Sequence, residues 1–337
     1  METKLLNTDD ESLKYAASLL REGKVVGIPT ETVYGLGANA LDETAVADIF
    51  KAKGRPQDNP LIVHIADISK LEELAYGIPK LALKCAESFW PGPLTMILKK
   101  RGIIPDTTSG GLDTVGIRMP SNKYARKIIE YAGVPIAAPS ANLSGSPSPT
   151  TAMHVFKDMN GRIPAIVDGG MSAVGVESTV ISFENDGIRI LRPGFISRED
   201  LLEICENVII DKGVLEQLSP ETIVRSPGMK YRHYSPKADV TIIDAELEKF
   251  RAFVKENCDK DTVCLVFDDK DCEGFNTRYI NYGNDSKQQA RMLFDALREL
   301  DEIGAKKAYA RCPEKSGVGL AVYNRLLRAA AFQVIKL

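Results

Sequence analysis

Two cations and two amides crowd one short stretch of this 337-residue chain, Lys53-Gly54-Arg55-Pro56-Gln57-Asp58-Asn59-Pro60. The stretch feeds directly into the apolar run Leu61-Ile62-Val63-His64. Gly and Pro fix an unusual backbone path there. Cations held rigidly beside a strand are the groups that clamp phosphates and stabilise growing negative charge. Lys51, Lys53 and Arg55 repel one another unless an anion lies among them or they point into water. A solvated face is the commoner meaning of a charge run. The Gly-Arg-Pro turn and Asn59-Pro60 shift the reading towards an anion site.

Other strand-like runs end in groups that ask for a similar ligand. Pro135-Ile136-Ala137-Ala138 leads into Pro139-Ser140-Ala141-Asn142-Leu143-Ser144-Gly145-Ser146-Pro147-Ser148. Its donors suit phosphate oxygens or a purine edge, although composition alone reads as a plain Ser-rich loop. Pro29-Thr30-Glu31-Thr32-Val33-Tyr34-Gly35-Leu36-Gly37 offers hydroxyls and glycines to a small polar ligand, or forms an ordinary turn. Arg118 closes the apolar run Val115-Gly116-Ile117, and an arginine so placed needs a carboxylate or phosphate from protein or ligand. Asp168-Gly169-Gly170, Val176-Glu177-Ser178-Thr179-Val180 and Leu191-Arg192-Pro193-Gly194 add more strand-end polar groups. Phe89-Trp90-Pro91-Gly92-Pro93 reads instead as a rigid turn with an aromatic anchor. His64 reads equally as a satisfied core histidine. No catalytic triad, metal cluster or carboxylate pair accompanies these strings. The pattern is that of a site that positions a nucleotide and stabilises its charge, with the second substrate open.

Bulk properties bound the class. The composition, 44% hydrophobic and 26% charged, is that of an ordinary globular protein, and the length favours two domains. A formal net charge of -3 argues against a general nucleic-acid coat. Cys85, Cys205, Cys258, Cys264, Cys272 and Cys312 form no Cys-x-x-Cys pair and read as small buried hydrophobes in a reducing compartment. A polar N-terminal stretch and the lack of a long apolar run point to a cytoplasmic protein without a membrane span.

The elements that must position these groups alternate. Asp9 or Asp10 caps a helix bearing Leu13, Ala16, Ala17 and Leu20 on one face and ended by Gly23; another spans 43–52. Strands are predicted at 24–29, 61–65, 95–98, 115–118, 135–138, 165–167, 178–182 and 188–191. Ser197-Arg198-Glu199-Asp200 reads as a capping box with Asp in place of Glu. We expect an α/β domain over residues 1–207 and a linker over 208–237. A small α/β domain follows over 238–337, with strands at 240–243, 262–267, 307–310 and 332–335. Helices at 245–256, 285–302 and 319–330 alternate with them, which suggests a small open parallel sheet.

Taken together, the strings 29–40, 53–65, 89–95, 115–120, 135–145, 175–181, 191–194 and 226–236 resemble the threonylcarbamoyl-AMP synthases, in the long form with a YrdC-type domain and a C-terminal extension. They occur in family order across nearly all of residues 20–237, with no departure at the motif positions. The last hundred residues match in length and α/β style. The resemblance implies an α/β fold: a YrdC-like twisted open sheet with helices and a concave positive pocket, plus a smaller Rossmann-like α/β domain. It implies that ATP, L-threonine and bicarbonate give L-threonylcarbamoyladenylate and pyrophosphate, with magnesium accompanying ATP. A separate tRNA threonylcarbamoyltransferase would consume the product, so direct tRNA binding is not required.

Carried over by motif, Thr32, His64, Arg118 and Ser178 would contact threonine. Lys53, Arg55, Asn59, Ser140, Asn142, Ser148 and Arg192 would surround ATP, with Lys53 and Arg55 catalytic. Tyr231, within residues 226–236, would fold over the nucleotide as part of a lid that excludes water. Two rivals remain. One is a nucleic-acid-binding module with Lys51, Lys53, Arg55 and Arg118 as a basic patch. The other is a different carbamoyl or adenylyl transferase on the same fold.

Overall fold

The computed structural model describes residues 2–57, 59–184, 187–216, 234–274 and 277–337. Tyr231 and most of the expected linker lie outside the described residues. Cα packing divides the chain into two units, one built mainly from residues 1–144, 148–173 and 177–230. The other comprises 145–147, 174–176 and 231–337.

The first unit opens with β1 (Lys4–Leu6), α1 (Asp10–Arg21), β2 (Val26–Ile28), β3 (Gly35–Asn39) and α2 (Glu43–Lys53). Next come β4 (Ile62–His64), α3 (Leu71–Leu74), β5 (Ala75–Tyr76), α4 (Lys80–Phe89), β6 (Leu94–Lys100) and α5 (Asp106–Ser109). β7 (Thr114–Arg118), α6 (Lys123–Ala132), β8 (Ile136–Ala137), α7 (Ala152–Met159) and β9 (Ala165–Val167) follow. β10 (Thr179–Glu184), β11 (Gly187–Arg192), α8 (Arg198–Leu202) and β12 (Val208–Ile210) complete it. The strands form one mixed sheet in the order β1-β9-β2-β3-β8-β4-β7-β6-β10-β11-β12, with β5 on β6.

Local chemistry explains the framework. The Asp9 carboxylate accepts from the Ser12 amide at 2.7 Å and caps α1, choosing between the two expected caps. Leu13, Ala16, Ala17 and Leu20 then form the buried face, packed with Ile28, Val167 and Ile128 of α6. Burying each Leu or Ile side chain contributes about 1.5–3 kcal/mol. Ser197 and Asp200 form the expected capping box at α8. A second core gathers Val46, Ile49 and Phe50 with Val63, Leu94 and Ile117. Trp90 joins it and donates its indole N–H to the Leu94 carbonyl at 2.7 Å, so the anchoring reading of that turn holds. Helices α4, α6 and α7 are not among the sequence expectations. Each is ten residues or shorter, too short a window for a helical period to stand out.

The second unit contains β13 (Asp239–Asp244), α9 (Leu247–Asn257), β14 (Thr262–Val266) and β15 (Arg278–Asn281), then α10 (Ser286–Glu302), β16 (Lys307–Arg311), α11 (Gly319–Ala329) and β17 (Val334–Lys336). Its sheet runs β15-β14-β16-β13-β17, and every pair is parallel. Strand β15 was not expected from the sequence: it is four residues long, and Arg278, Tyr279 and Asn281 are exposed at the sheet's edge.

The cysteines divide. Cys85, Cys264 and Cys272 are buried, as expected of small hydrophobes. Cys205, Cys258 and Cys312 are partly exposed, which corrects the reading for these three: they follow α8, α9 and β16, where the chain turns towards solvent. Among the described residues no helix is long and apolar enough to cross a membrane.

Candidate active site

Sheet register lines up one row of residues across five strands. His64, last in β4, pairs with Arg118, last in β7; Arg118 pairs with Thr95 on β6. Thr95 in turn pairs with Val180 on β10, and Val180 with Arg192, last in β11. Register partners project to the same face of a sheet; a bulge interrupts the β10–β11 pairing beside Val180, and Arg192 reaches the row through its hydrogen bond to Ser178. Four polar side chains distant in sequence are thus offered side by side.

Arg118 is only 4% exposed and sits at the centre of a hydrogen-bonded unit. Its Nη2 lies 2.6 Å from Glu31 Oε1, its Nη1 donates to Thr32 Oγ1 at 2.9 Å, and its Nε reaches the Gly92 carbonyl at 3.4 Å. The hydroxyls of Thr30 and Thr32 lie 2.8 Å apart, and the Asn122 amide donates to Glu31 Oε2 at 3.3 Å. Burial pushes the Glu31 carboxyl up, but the charge and hydrogen bond of Arg118 outweigh it and hold the group below the usual range. Burial, aided by the Arg118 charge, pushes the His64 imidazole down to about 3. A neutral ring therefore presents Nδ1–H to the Ile62 carbonyl, 3.1 Å away, which makes Nε2 the acceptor nitrogen.

The row continues at Ser178. Its Oγ lies 2.7 Å from Thr95 Oγ1 and accepts from Arg192 Nη2 at 3.1 Å, while Arg192 Nε donates to the Ser178 carbonyl at 3.1 Å. One residue earlier, Glu177 accepts from the Ser148 hydroxyl at 2.5 Å.

A cationic corner completes the constellation. Lys53 does not lie in the loop that its sequence suggests: it ends α2, and Gly54 caps that helix in the left-handed region at φ 65°. The turn swings the lysine side chain inward until it is 3% exposed. Its Nζ donates to the carbonyls of Ser140 and Asn142 at 2.5 and 2.8 Å. The Ser140 hydroxyl donates to Asn142 Oδ1 at 2.5 Å. Burial and then the neighbouring Arg55 charge push the Lys53 ammonium down to about 7, with Asp158 and Glu177 acting the other way. Arg55 is half-buried and Asn59 fully buried, whereas Lys51 points outward. Burial of Lys53 and Arg118 is incompatible with an open basic patch for a nucleic-acid backbone, which needs exposed cations.

The structure therefore gathers Thr32, His64, Arg118, Ser178 and Arg192 by register and hydrogen bonding. It links Lys53, Ser140 and Asn142 in a second set, which Glu177 joins electrostatically to Ser148. Sequence reasoning did not single out Glu31, Thr95 or Glu177. The signal for Glu31 was present: an acid between two threonines, in a chain whose strand-end Arg118 needed a carboxylate.

The fold and this site define a class, a YrdC-type α/β unit followed by a parallel α/β unit. Residues 18–194 match the Sua5–YciO–YrdC family, described as telomere recombination, and residues 196–331 match the threonylcarbamoyl-AMP synthase C-terminal domain. The threonylcarbamoyl-AMP synthase of Pyrococcus abyssi is 45% identical over 332 residues, covering 97% of this chain and 96% of the relative. That of Bacillus subtilis is 45% identical over 337 residues, covering 98% and 96%. The crystal structure of Pyrococcus abyssi Sua5 complexed with L-threonine superposes with a TM-score of 0.92 at 43% identity, covering 99% of this chain and 100% of that one. The chain belongs to the threonylcarbamoyl-AMP synthase family, the transferases that form a threonylcarbamoyl adenylate.

Proposed function

We propose that the row from His64 to Arg192 and the Lys53 corner are the site where this chain condenses L-threonine, bicarbonate and ATP into threonylcarbamoyladenylate and pyrophosphate. The observation that carries this reading is the buried Arg118, forked between Glu31 and Thr32 and flanked by neutral His64. A guanidinium held in that way recognises a small carboxylate. The solved relative at 43% identity, whose crystals contain L-threonine, supports the same choice of substrate. Thr32, His64 and Ser178 would then hold the rest of the amino acid, His64 through its acceptor nitrogen.

In the reaction the amine of threonine adds to carbon dioxide or bicarbonate and loses a proton or water, giving a carbamate. A carbamate oxygen then attacks the α-phosphorus of ATP; the bond from that phosphorus to the bridging oxygen breaks, and pyrophosphate leaves. Lys53 and Arg55 would stabilise the charge that builds on the phosphates. Asn59, Ser140, Asn142, Ser148 and Arg192 would hold the nucleotide. Tyr231 keeps the lid role that the resemblance implies. No side chain need act as a covalent nucleophile. Magnesium would enter with ATP. A separate transferase acting on tRNA would take up the product.

The test is direct. Purified protein is incubated with ATP, magnesium, bicarbonate and L-threonine, with pyrophosphate measured beside the adenylate by mass spectrometry. Pyrophosphate release that requires threonine and bicarbonate, with the adenylate mass, is the expected result. A folded, ATP-binding protein that gives neither product would defeat the reading.

A further inference from the structure

The second unit carries a cavity of about 820 Å³, within the range of small-molecule sites. Its position follows from the strand order. From β13 the chain crosses β16 to reach β14; from β16 it crosses β13 in the opposite direction to reach β17. Neighbouring parallel strands whose connections leave in opposite directions open a crevice at their carboxyl ends, where open α/β sheets bind ligands. The cavity lies there. Asp244 and Glu246 line it from the end of β13, and Arg311, Glu314 and Lys315 from the end of β16. Ser286, the first residue of α10, and Lys336 of β17 complete the charged and polar wall.

The charges select the ligand. Lys315 Nζ pairs with Asp244 at 2.8 Å and Arg311 Nη1 with Asp271 at 2.8 Å. Asp285 is occupied in capping α10, accepting from the amides of Lys287 and Gln288 at 2.8 and 2.9 Å. Among the described residues Glu246, Glu314 and Lys336 enter no ion pair, so the wall keeps unspent charge of both signs. A phosphate would face two carboxylates with one uncommitted cation. A molecule carrying separate ammonium and carboxylate groups meets both signs at once. Phe267 and Pro313 add apolar surface for a side chain. Against the Phe267 ring packs Tyr282, 1% exposed, whose hydroxyl has no hydrogen-bond partner among the described residues. That hydroxyl lies within electrostatic range of Arg311 and Cys312, both on the cavity wall.

We propose that this crevice between the ends of β13 and β16 binds a free α-amino acid, its carboxylate towards Lys336, beside the Lys315–Asp244 pair, and its ammonium towards Glu246 and Glu314. The cavity is wider than an amino acid, so recognition would rest on the charged walls rather than on enclosure.

Equilibrium dialysis of the full chain against a 14C-labelled mixture of the common amino acids, at millimolar concentration, tests the site. The wild type is compared with Glu246→Gln/Lys315→Ala/Lys336→Ala and with Glu246→Gln alone; the latter alters one exposed side chain and leaves folding undisturbed. The expected result is that the wild type retains about one equivalent of some amino acid more than the triple variant, with at least tenfold weaker retention in Glu246→Gln. Equal retention by all three proteins would overturn the proposal. So would a difference seen only with AMP or inorganic phosphate as the probe.

Discussion

Glu31 closes over Arg118 at 2.6 Å, with the two side chains 9% and 4% exposed. A buried pair of this kind owes its tolerance to partners on every side, here Thr32, Asn122 and the Gly92 carbonyl. It also fixes the orientation of the Arg118 guanidinium before any substrate arrives.

Removing the arginine should therefore cost both folding and recognition. Arg118→Ala leaves Glu31 buried without its cation, a loss of about 3–5 kcal/mol. Arg118→Lys keeps the charge but not the fork, and should raise the KM for L-threonine at least tenfold while the fold survives. Thermal unfolding and threonine-dependent pyrophosphate release measure the two effects. An unchanged KM in Arg118→Lys would remove Arg118 from the threonine site.

His64 predicts an acid-labile fold. Its imidazole titrates near 3 when folded, against about 6.5 when free. Between those values the unfolded chain binds a proton that the native chain refuses. The stabilisation is therefore complete above pH ~6.5 and is lost as pH falls towards 3, at up to about 1.4 kcal/mol per pH unit. Urea midpoints taken from pH 7 to pH 4 should fall steeply in the wild type and less steeply in His64→Asn. Parallel slopes would mean that other groups carry the acid sensitivity.

ATP binding should take up a proton. Free lysine titrates near 10.4, whereas buried Lys53 does so at about 7, so at pH 8 most molecules hold it neutral. A polyphosphate beside it favours the ammonium. Titration calorimetry at pH 8 in buffers of different ionisation enthalpy should show uptake of up to about one proton per ATP, falling towards zero at pH 6. No uptake at pH 8 would place the phosphates away from Lys53.

Arg55 should separate catalysis from folding. The side chain is half-buried at the start of the loop after α2. Arg55→Ala is expected to lower turnover a hundredfold or more with an ordinary melting curve, since it withdraws one charge-stabilising cation. Unchanged turnover would count against its role.

Gly194 offers a structural control. A Cβ built there falls 2.3 Å from the Thr179 backbone nitrogen, with no flexible group to yield. Gly194→Ala should destabilise by about 3 kcal/mol. The same Cβ would fall 2.7 Å from the Ser178 carbonyl carbon, so it should also disturb the Arg192–Ser178 contact and raise the KM for ATP. A melting temperature within a degree of wild type would show that the loop relaxes.

Much of the framework was readable before folding was considered. The helix around Leu13 and Leu20 and the capping box at Ser197 are local events, decided by residues three or four positions apart. Apolar runs such as Val115-Gly116-Ile117 mark strands for the same reason. The short helices α4, α6 and α7 give no such signal because each spans ten residues or fewer, too few turns for a helical period to stand out. Lys53 was misplaced because the same string, Lys-Gly-Arg-Pro, suits both a loop and a helix ending in a left-handed glycine.

By itself, then, the sequence determined that polar groups such as His64, Arg118 and Arg192 close apolar strands, because strand ends and their turns follow from nearby residues. Only the tertiary structure decided that Glu31 is the partner of Arg118, that His64, Arg118, Thr95 and Arg192 share one row, and that Lys53 lies buried against the carbonyls of Ser140 and Asn142. Those pairings depend on strand order and register, which join segments far apart in the chain. Burial then shifts the charges, because a side chain removed from water answers chiefly to whatever group the fold has placed beside it.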